Sequence, residues 1–502
     1  MKGTSIVLMI ITVLTKLFGL AREKALAHFF GTTFIADVFL IAFQIPMTFS
    51  NVIQGAMISS FIPAYDEIER KEGEKNANIF TAKLAGYVFV LSFIVSIVGI
   101  IFTKGLIKLM APGFEGEVFD MAVFITRAGL LSISAVAVYS VFKSFLQLKG
   151  RFVVSVIHAI VMNVIVIFSM ALAKKLGINY LAAGVFAGFT FQFIIFHPYI
   201  RKSGYKEKIK FDFKDENVKN TLNKVGPILI ATSVIELNFI ISKAVASGMF
   251  QGAVSTLNFA YKLQSFVTGI VVTSVITAIY PKISKYASLS NYKELRRETS
   301  EGLSLMALLM VPASFALFIL AKPVVELLFK GGAFSERDVL NTASVLSIYA
   351  TAIVGIGFRE MVLRLYYAMQ NTKMPVINSV VVVIINWILS VVLGNAMGIK
   401  GLALATSLSF WIGALQLAYS YSKTYGALFS KKFVINFCKI LIGSIVMAAG
   451  TYFAFNFLTG KFSSNLSLLI TILIAGILYF LMLFILKTEE LKEIKALLIR
   501  KD

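Results

Sequence analysis

The residues with the most chemistry to offer are charged side chains set in apolar sequence. Even on the mildest insertion scale, an ionised group at a helix centre costs roughly 2.5–3.5 kcal/mol. One that is kept there is a functional candidate. Lys16, Arg22, Glu23 and Lys24 lie in the first apolar segment, and Asp37 and Gln44 lie in the second. Glu236, Asn238, Ser242 and Lys243 lie in the seventh, and Lys262 in the eighth. The set is net basic. Lys and Arg give charge-assisted hydrogen bonds to oxyanions, so the set suits a phosphate or pyrophosphate headgroup. A substrate-binding cavity is expected from Lys16, Arg22, Glu23, Asp37, Gln44, Asn238, Lys243 and Lys262. The competing reading places Arg22 to Lys24 at an outer interface, with side chains snorkelling to water. Arg359, Glu360 and Arg364 read instead as a structural ion-pair network.

Other chemistries have little to work with. His28, His158 and His197 are scattered, and Cys438 is the single cysteine, which excludes intramolecular disulfides and thiolate clusters. There is no P-loop, no nucleophile elbow and no soluble domain carrying paired carboxylates. Neither an enzyme nor a cofactor is expected. Transport must be driven by an ion gradient, the membrane potential or substrate flux.

The elements that hold these charges are membrane helices. Hydrophobic residues make up 58% of the 502 and charged residues 15%, with a mean hydropathy of +0.83. Soluble domains carry about 25% charged residues. Solidly apolar runs such as Val380 to Ile385 exclude the alternation of a β-barrel. About fourteen spans are expected, near 4–30, 34–64, 78–103, 119–148, 152–174, 180–200, 225–248, 253–281, 302–321, 339–369, 375–396, 400–421, 433–457 and 465–486. Stretches of about 20 apolar residues suffice to cross a bilayer as helices. The first is read as a retained helix rather than a cleaved signal.

The net charge of +22 raises nucleic acid as a partner. The Lys and Arg residues gather in short loops, with no recognition motif, and so follow the positive-inside rule instead. That rule places 201–224, 281–297, 423–432 and the tail from Lys487 inside, with both termini cytoplasmic. The tail 488–502 reads as an amphipathic helix lying on anionic lipid.

An internal repeat organises the chain. Ala42-Phe-Gln-Ile45 matches Ala260-Tyr-Lys-Leu263, and Phe61-Ile-Pro63 matches Ile279-Tyr-Pro281. Lys24-Ala-Leu-Ala27 matches Lys243-Ala-Val-Ala246, Pro112-Gly-Phe114 resembles Gly332-Ala-Phe334, and Asn163 corresponds to Asn386. Leu176 to Ala182 matches Met397 to Ala403. The matches are collinear, so six spans are duplicated as six more with the same topology, an architecture of transporters. The expected domains are an N-terminal lobe 1–202, a cytoplasmic linker 203–224, a C-terminal lobe 225–424, two further spans in 425–487 and the tail. The helices opening the two repeats would line a central cationic cavity.

Thr15-Lys-Leu-Phe-Gly-Leu-Ala-Arg-Glu23, followed by Phe30-Gly31, Ala36-Asp37, Pro46, Gly55-Ala56 and Phe61-Ile-Pro63, resembles the opening of the MurJ (MviN) family. Ile235-Glu-Leu-Asn238, Gly331-Gly-Ala-Phe334 and Gly401 to Thr406 continue the likeness over essentially the whole chain. These are lipid II flippases of the MATE-like MOP exporter superfamily. MATE exporters have twelve spans, and this chain is expected to have fourteen. The resemblance implies alternating access in the bacterial cytoplasmic membrane. It implies lipid II and membrane lipids as partners, the cell-wall synthesis machinery as a candidate partner, and a functional monomer. The family's essential basic residues fall on Lys16, Arg22 and Lys262, with Glu23 as acidic partner. This chain departs from the pattern at Ser50, where the family has an arginine, and at Gln54, where it has a glutamate. A sodium site of some members maps to Ser242, Asn386, Ser390 and Thr406, with serine at both carboxylate positions. A flippase for another polyprenyl-pyrophosphate-linked oligosaccharide is the main alternative. A cation-coupled MATE-type drug exporter would want an acidic cavity, and a scaffold would not need buried charge.

Overall fold

In the computed structural model the described residues are 2–212 and 214–488, without the side chains of 2–10, 12, 224 and 226–239. The amphipathic tail expected beyond Thr488 lies outside them. The described residues hold no strand and nineteen α-helices. The first nine are α1 Lys2–Phe30, α2 Phe34–Glu72, α3 Glu74–Ile101, α4 Thr103–Met110, α5 Gly116–Leu131, α6 Ile133–Leu148, α7 Phe152–Leu176, α8 Asn179–Phe191 and α9 His197–Lys202. Then follow α10 Glu216–Ser247, α11 Ala253–Ser288, α12 Tyr292–Ile319, α13 Ala321–Phe329, α14 Glu336–Ala350, α15 Ala352–Ala368, α16 Lys373–Met397 and α17 Ile399–Tyr425. The last two are α18 Lys431–Thr459 and α19 Ser464–Ile485.

The two halves of this series match element by element up to the last span, which is broken into α8 and α9 in the first half and runs as the single helix α17 in the second. Helices of 39 and 28 residues (α2, α3) and a short α4 of 8 recur as α11, α12 and α13 with 36, 28 and 9. Two of the expected spans are broken in the middle, and at equivalent places. α5 and α6 part at Ser132, whose hydroxyl donates to the Gly129 carbonyl at 2.6 Å. α14 and α15 part at Thr351, whose hydroxyl donates to the Ile348 carbonyl at 2.7 Å, and the axis turns by 42°. A hydroxyl that binds a carbonyl three residues back competes with the helical ladder and bends it. The same device in both copies is structural support for the repeat. α18 and α19 stand outside it.

Lipid is the solvent for this chain. α19 exposes Leu473, Ile477, Phe480 and Phe484 while it buries Ser467, Thr471 and Tyr479. That is a water-soluble helix turned inside out, as hydrocarbon surroundings require. Among the described residues, eleven helices are long and apolar enough to cross a bilayer, or twelve if the bent pair α14 and α15 counts as one span. α1 and α10, of 29 and 32 residues, carry the side chains outside the described set.

Two compact units partition the chain, residues 1–255 with 331–334, and residues 256–330 with 335–502. α10 opens the second repeat yet packs on α2 and α4, and so belongs to the first unit. The polar stretch 203–224 is only half linker, because α10 begins at Glu216 under an Asp215 cap that accepts from the Val218 amide. The rest is docked on α3. The Lys210 amide donates to the Ala82 carbonyl at 3.1 Å, and Lys83 sits 2.8 Å from both Asp212 and Asp215. The Lys83 ammonium holds the Asp212 carboxyl below its ordinary value. At the same end of α6, Lys149 bridges Glu69 and Glu74 at 2.8 and 2.9 Å. Burial alone would lower that ammonium, but its hydrogen bonds to Glu69, Glu74 and Tyr65 outweigh burial and raise it.

In the second unit, α18 packs along α12, and the Tyr479 hydroxyl of α19 donates to the Leu308 carbonyl at 2.7 Å. The two extra helices are thereby fastened to the second repeat.

Candidate functional site

α1 packs along α7 and carries the first group of charges. Arg22 is 7% exposed and Glu23 1%. Arg22 Nη2 donates to Glu23 Oε1 at 2.7 Å, and the guanidinium carbon lies 4.4 Å from the Phe43 ring centroid. Arg22 Nε is buried with no hydrogen-bond partner. An unfilled buried donor costs about 1–3 kcal/mol, and a native protein generally fills such a group with water or ligand. Lys16 lies about 9 Å back along the helix by its rise and is half-buried, while Lys24 is exposed.

α2 and α10 are brought together by polar side chains. Lys243 Nζ donates to Gln44 Oε1 at 2.9 Å, and Gln44 Nε2 donates to the Thr48 hydroxyl at 3.0 Å. Ser242 is buried one position earlier. The Asn238 and Glu236 side chains lie outside the described residues.

Asp37, 3% exposed, has the geometry of a helix cap. Its Oδ2 accepts from the Gly252 amide and its Oδ1 from the Ser255 amide, both at 2.7 Å. These are orphan donors at the start of α11, where a carboxylate also favours the positive end of the helix dipole. The approach needs glycine at 252. Its φ is +91°, and a Cβ there would collide with the Thr32 carbonyl.

In the second unit, Lys262 is half-buried on α11. Asn386, Ser390 and Thr406 do come together. Asn386 Oδ1 accepts from Ser390 Oγ at 3.4 Å and from Thr406 Oγ1 at 3.3 Å. These three supply neutral oxygens without a carboxylate, and no cluster of three or more His, Cys, Asp or Glu occurs among the described residues. Arg359 is held mainly by hydrogen bonds, from Nε to Asn378 at 2.8 Å and from Nη2 to Ser379 at 3.1 Å. Glu360 is more distant, 3.7 Å from Arg359 and 3.9 Å from Arg364.

One cation escaped the sequence reading. Lys143, on α6, donates to Gln54 Oε1, and Gln54 Nε2 in turn donates to Ser50 Oγ. It lies six residues before Lys149 and eight before Arg151 at the end of α6, so nothing in the sequence marks it as directed into the helix bundle. Gln54 and Ser50 were legible only as departures from a family pattern.

With this geometry described, the relatives can be compared. A family model described as lipid II flippase MurJ matches residues 26–484. A probable lipid II flippase MurJ of Rickettsia prowazekii is 28% identical over 456 residues, covering 89% of this chain and 88% of that one. Another, of Rhizobium tropici, is 24% identical over 504 residues, covering 97% and 94%. A solved structure of lipid II flippase MurJ in an inward closed conformation superposes with a TM-score of 0.82 at 26% identity, over 95% of this chain and 98% of that one. An inward-facing multidrug MATE transporter of the MOP superfamily, 13% identical with a TM-score of 0.65, covers 84% of this chain and 98% of that one and shares the fold alone. The match spans nearly all of the duplicated helices together with α18 and α19, and this chain belongs to the MurJ family of lipid II flippases.

Proposed function

We propose that this chain carries lipid II from the inner to the outer leaflet of the bacterial cytoplasmic membrane by alternating access of its two repeats. The carrying observation is the Arg22–Glu23 ion pair, buried between helices of the first unit, in a chain of this family. Lys16, Arg22 and Lys243 are the proposed contacts to the pyrophosphate, and Lys262 is the corresponding contact from the second repeat. Arginine offers several donors in a planar fork and lysine a mobile point charge, so Arg22 orients the phosphates while the lysines follow them. Glu23 fixes the guanidinium and lowers the cost of keeping it in lipid. Asp37 acts indirectly by anchoring the start of α11, and Gln44 positions the Lys243 ammonium.

Fourteen spans with both termini cytoplasmic fit this reading, with α1 and α10 completing the set. The two repeats serve as the moving lobes, with α10 grouped with the first unit, on which it packs, and the two last helices offer the lipid tail a path along the second. Asn386, Ser390 and Thr406 form at most a weak sodium site, since hard cations favour carboxylate oxygens. The membrane potential or substrate flux then supplies the drive. A monomer suffices for this mechanism.

The test is rescue of a bacterium depleted of its own MurJ, scored by growth and by lipid II accumulation. Rescue without lipid II build-up is expected. If lipid II accumulates although the chain inserts in the membrane, a different polyprenyl-linked oligosaccharide becomes the substrate to try.

A further inference from the structure

Lys143 is a cation with an unusual companion. Its ammonium meets a neutral amide, Gln54 Oε1, and among the described residues no carboxylate pairs with it. Nor does it snorkel. A snorkelling lysine on α6 would reach for the near helix end, where Lys149 meets Glu69. Gln54 lies fifteen residues before Glu69 on α2, about 22 Å further in by helical rise. The side chain therefore carries its charge into the bundle. Tyr139, one turn earlier on α6, and His158 of α7 stand with ring centroids 5.0 Å apart. The Tyr139 hydroxyl is buried with no hydrogen-bond partner among the described residues. Lys143 is close enough to His158 to act on it electrostatically.

We propose that Lys143, Gln54 and Ser50 form a second phosphate-binding station in the first unit. It repeats the construction of the Lys243 group. In each, a lysine ammonium donates to a glutamine Oε1, and the glutamine Nε2 donates to a hydroxyl four residues away on α2, Thr48 or Ser50. The two glutamines are ten residues apart, about 15 Å along α2. An ammonium has three donors, and Gln54 takes one from Lys143. An amide positions the ammonium and leaves its charge intact, so this station presents a net positive charge where the Arg22–Glu23 pair is neutral as a pair. Half-burial leaves the ammonium reachable while the surrounding low dielectric strengthens its attraction. The ligand's identity rests on the function proposed above; the station itself rests on this geometry.

The experiment uses the purified full-length chain, in detergent for binding of undecaprenyl pyrophosphate and in liposomes for lipid II flipping. K143M removes the charge at nearly constant length, K143R keeps it, and Q54E places a carboxylate on the ammonium. K143M and Q54E should each weaken undecaprenyl pyrophosphate binding about tenfold or more, the range of one charge-assisted contact. K143R should stay within about threefold of wild type. Inorganic pyrophosphate should compete with the lipid on the wild-type chain and do so less well on K143M. Wild-type binding by Q54E overturns the station even if K143M fails to fold, as does wild-type binding by a folded K143M. A wild-type chain that binds in a Lys143-dependent way yet does not flip lipid II sinks the proposed function and spares the station. Flipping and binding that are both indifferent to Lys143 sink the station alone.

Discussion

Single side chains here divide by what surrounds them. Arg22 is buried beside a paired carboxylate, and its Nε finds no hydrogen-bond partner among the described residues. R22A and K262A should each abolish rescue of a MurJ-depleted bacterium while membrane insertion, measured by blotting of the membrane fraction, stays normal. Rescue by both variants would remove the phosphate-binding role. Asp37 belongs to a different class, since its oxygens hold the Gly252 and Ser255 amides. D37A should lower stability by about 1–2 kcal/mol, the cost of a lost helix cap, seen as a lower melting temperature in detergent. Flipping should fall only as far as folded protein is lost. A stable but inactive D37A would return Asp37 to the binding set.

At the scale of elements, the docked segment 205–215 is held to α3 by opposite charge. The carboxyl of Asp212 has its pKa depressed by Lys83. A depressed carboxylate stabilises the docked form above the ordinary aspartate range, near pH 4, and that contribution disappears as pH falls through the lowered value. Protease cleavage within 205–215 should therefore rise when the pH drops below about 4, under an acid-active protease. K83A should show the same cleavage already at neutral pH. Equal protection of K83A and wild type would mean that the Lys210–Ala82 backbone bond alone holds the segment. The breaks at Ser132 and Thr351 belong to this scale too. Each is a local hydroxyl–carbonyl bond, and their recurrence in both copies shows that duplication preserved the bend along with the helices.

For the molecule as a whole, topology is the measurable property. Basic loops on one side and the even span count proposed above predict that the turn at 427–430 and the segment 205–215 face the cytoplasm, and the turns at 249–252 and 460–463 the outside. Alkaline phosphatase fused at 460–463 or 249–252 should be active, and inactive at 427–430 or 205–215. Activity in the reverse pattern would invert the transport direction proposed here. The inside-out surface of α19, apolar outward and Ser467, Thr471 and Tyr479 inward, is what such a span needs.

Helix class, repeat and family were legible from residues alone, because lipid permits few architectures and apolar length, basic loops and collinear motifs are one-dimensional signals. Arg22 and Glu23 were legible too, since charge within an apolar run has no cheap explanation. Other features depended on packing between distant segments. Asp37 reads as a cavity carboxylate until Gly252 and Ser255 arrive at its oxygens. α10 reads as the start of a second lobe until its packing on α2 and α4 is seen. Lys143 has no mark in the sequence, and only the structure brings it to Gln54. A sequence specifies which groups a helix carries. Which partner neutralises, caps or leaves a charge unfilled depends on the third dimension, where residues about ninety or two hundred positions apart become neighbours.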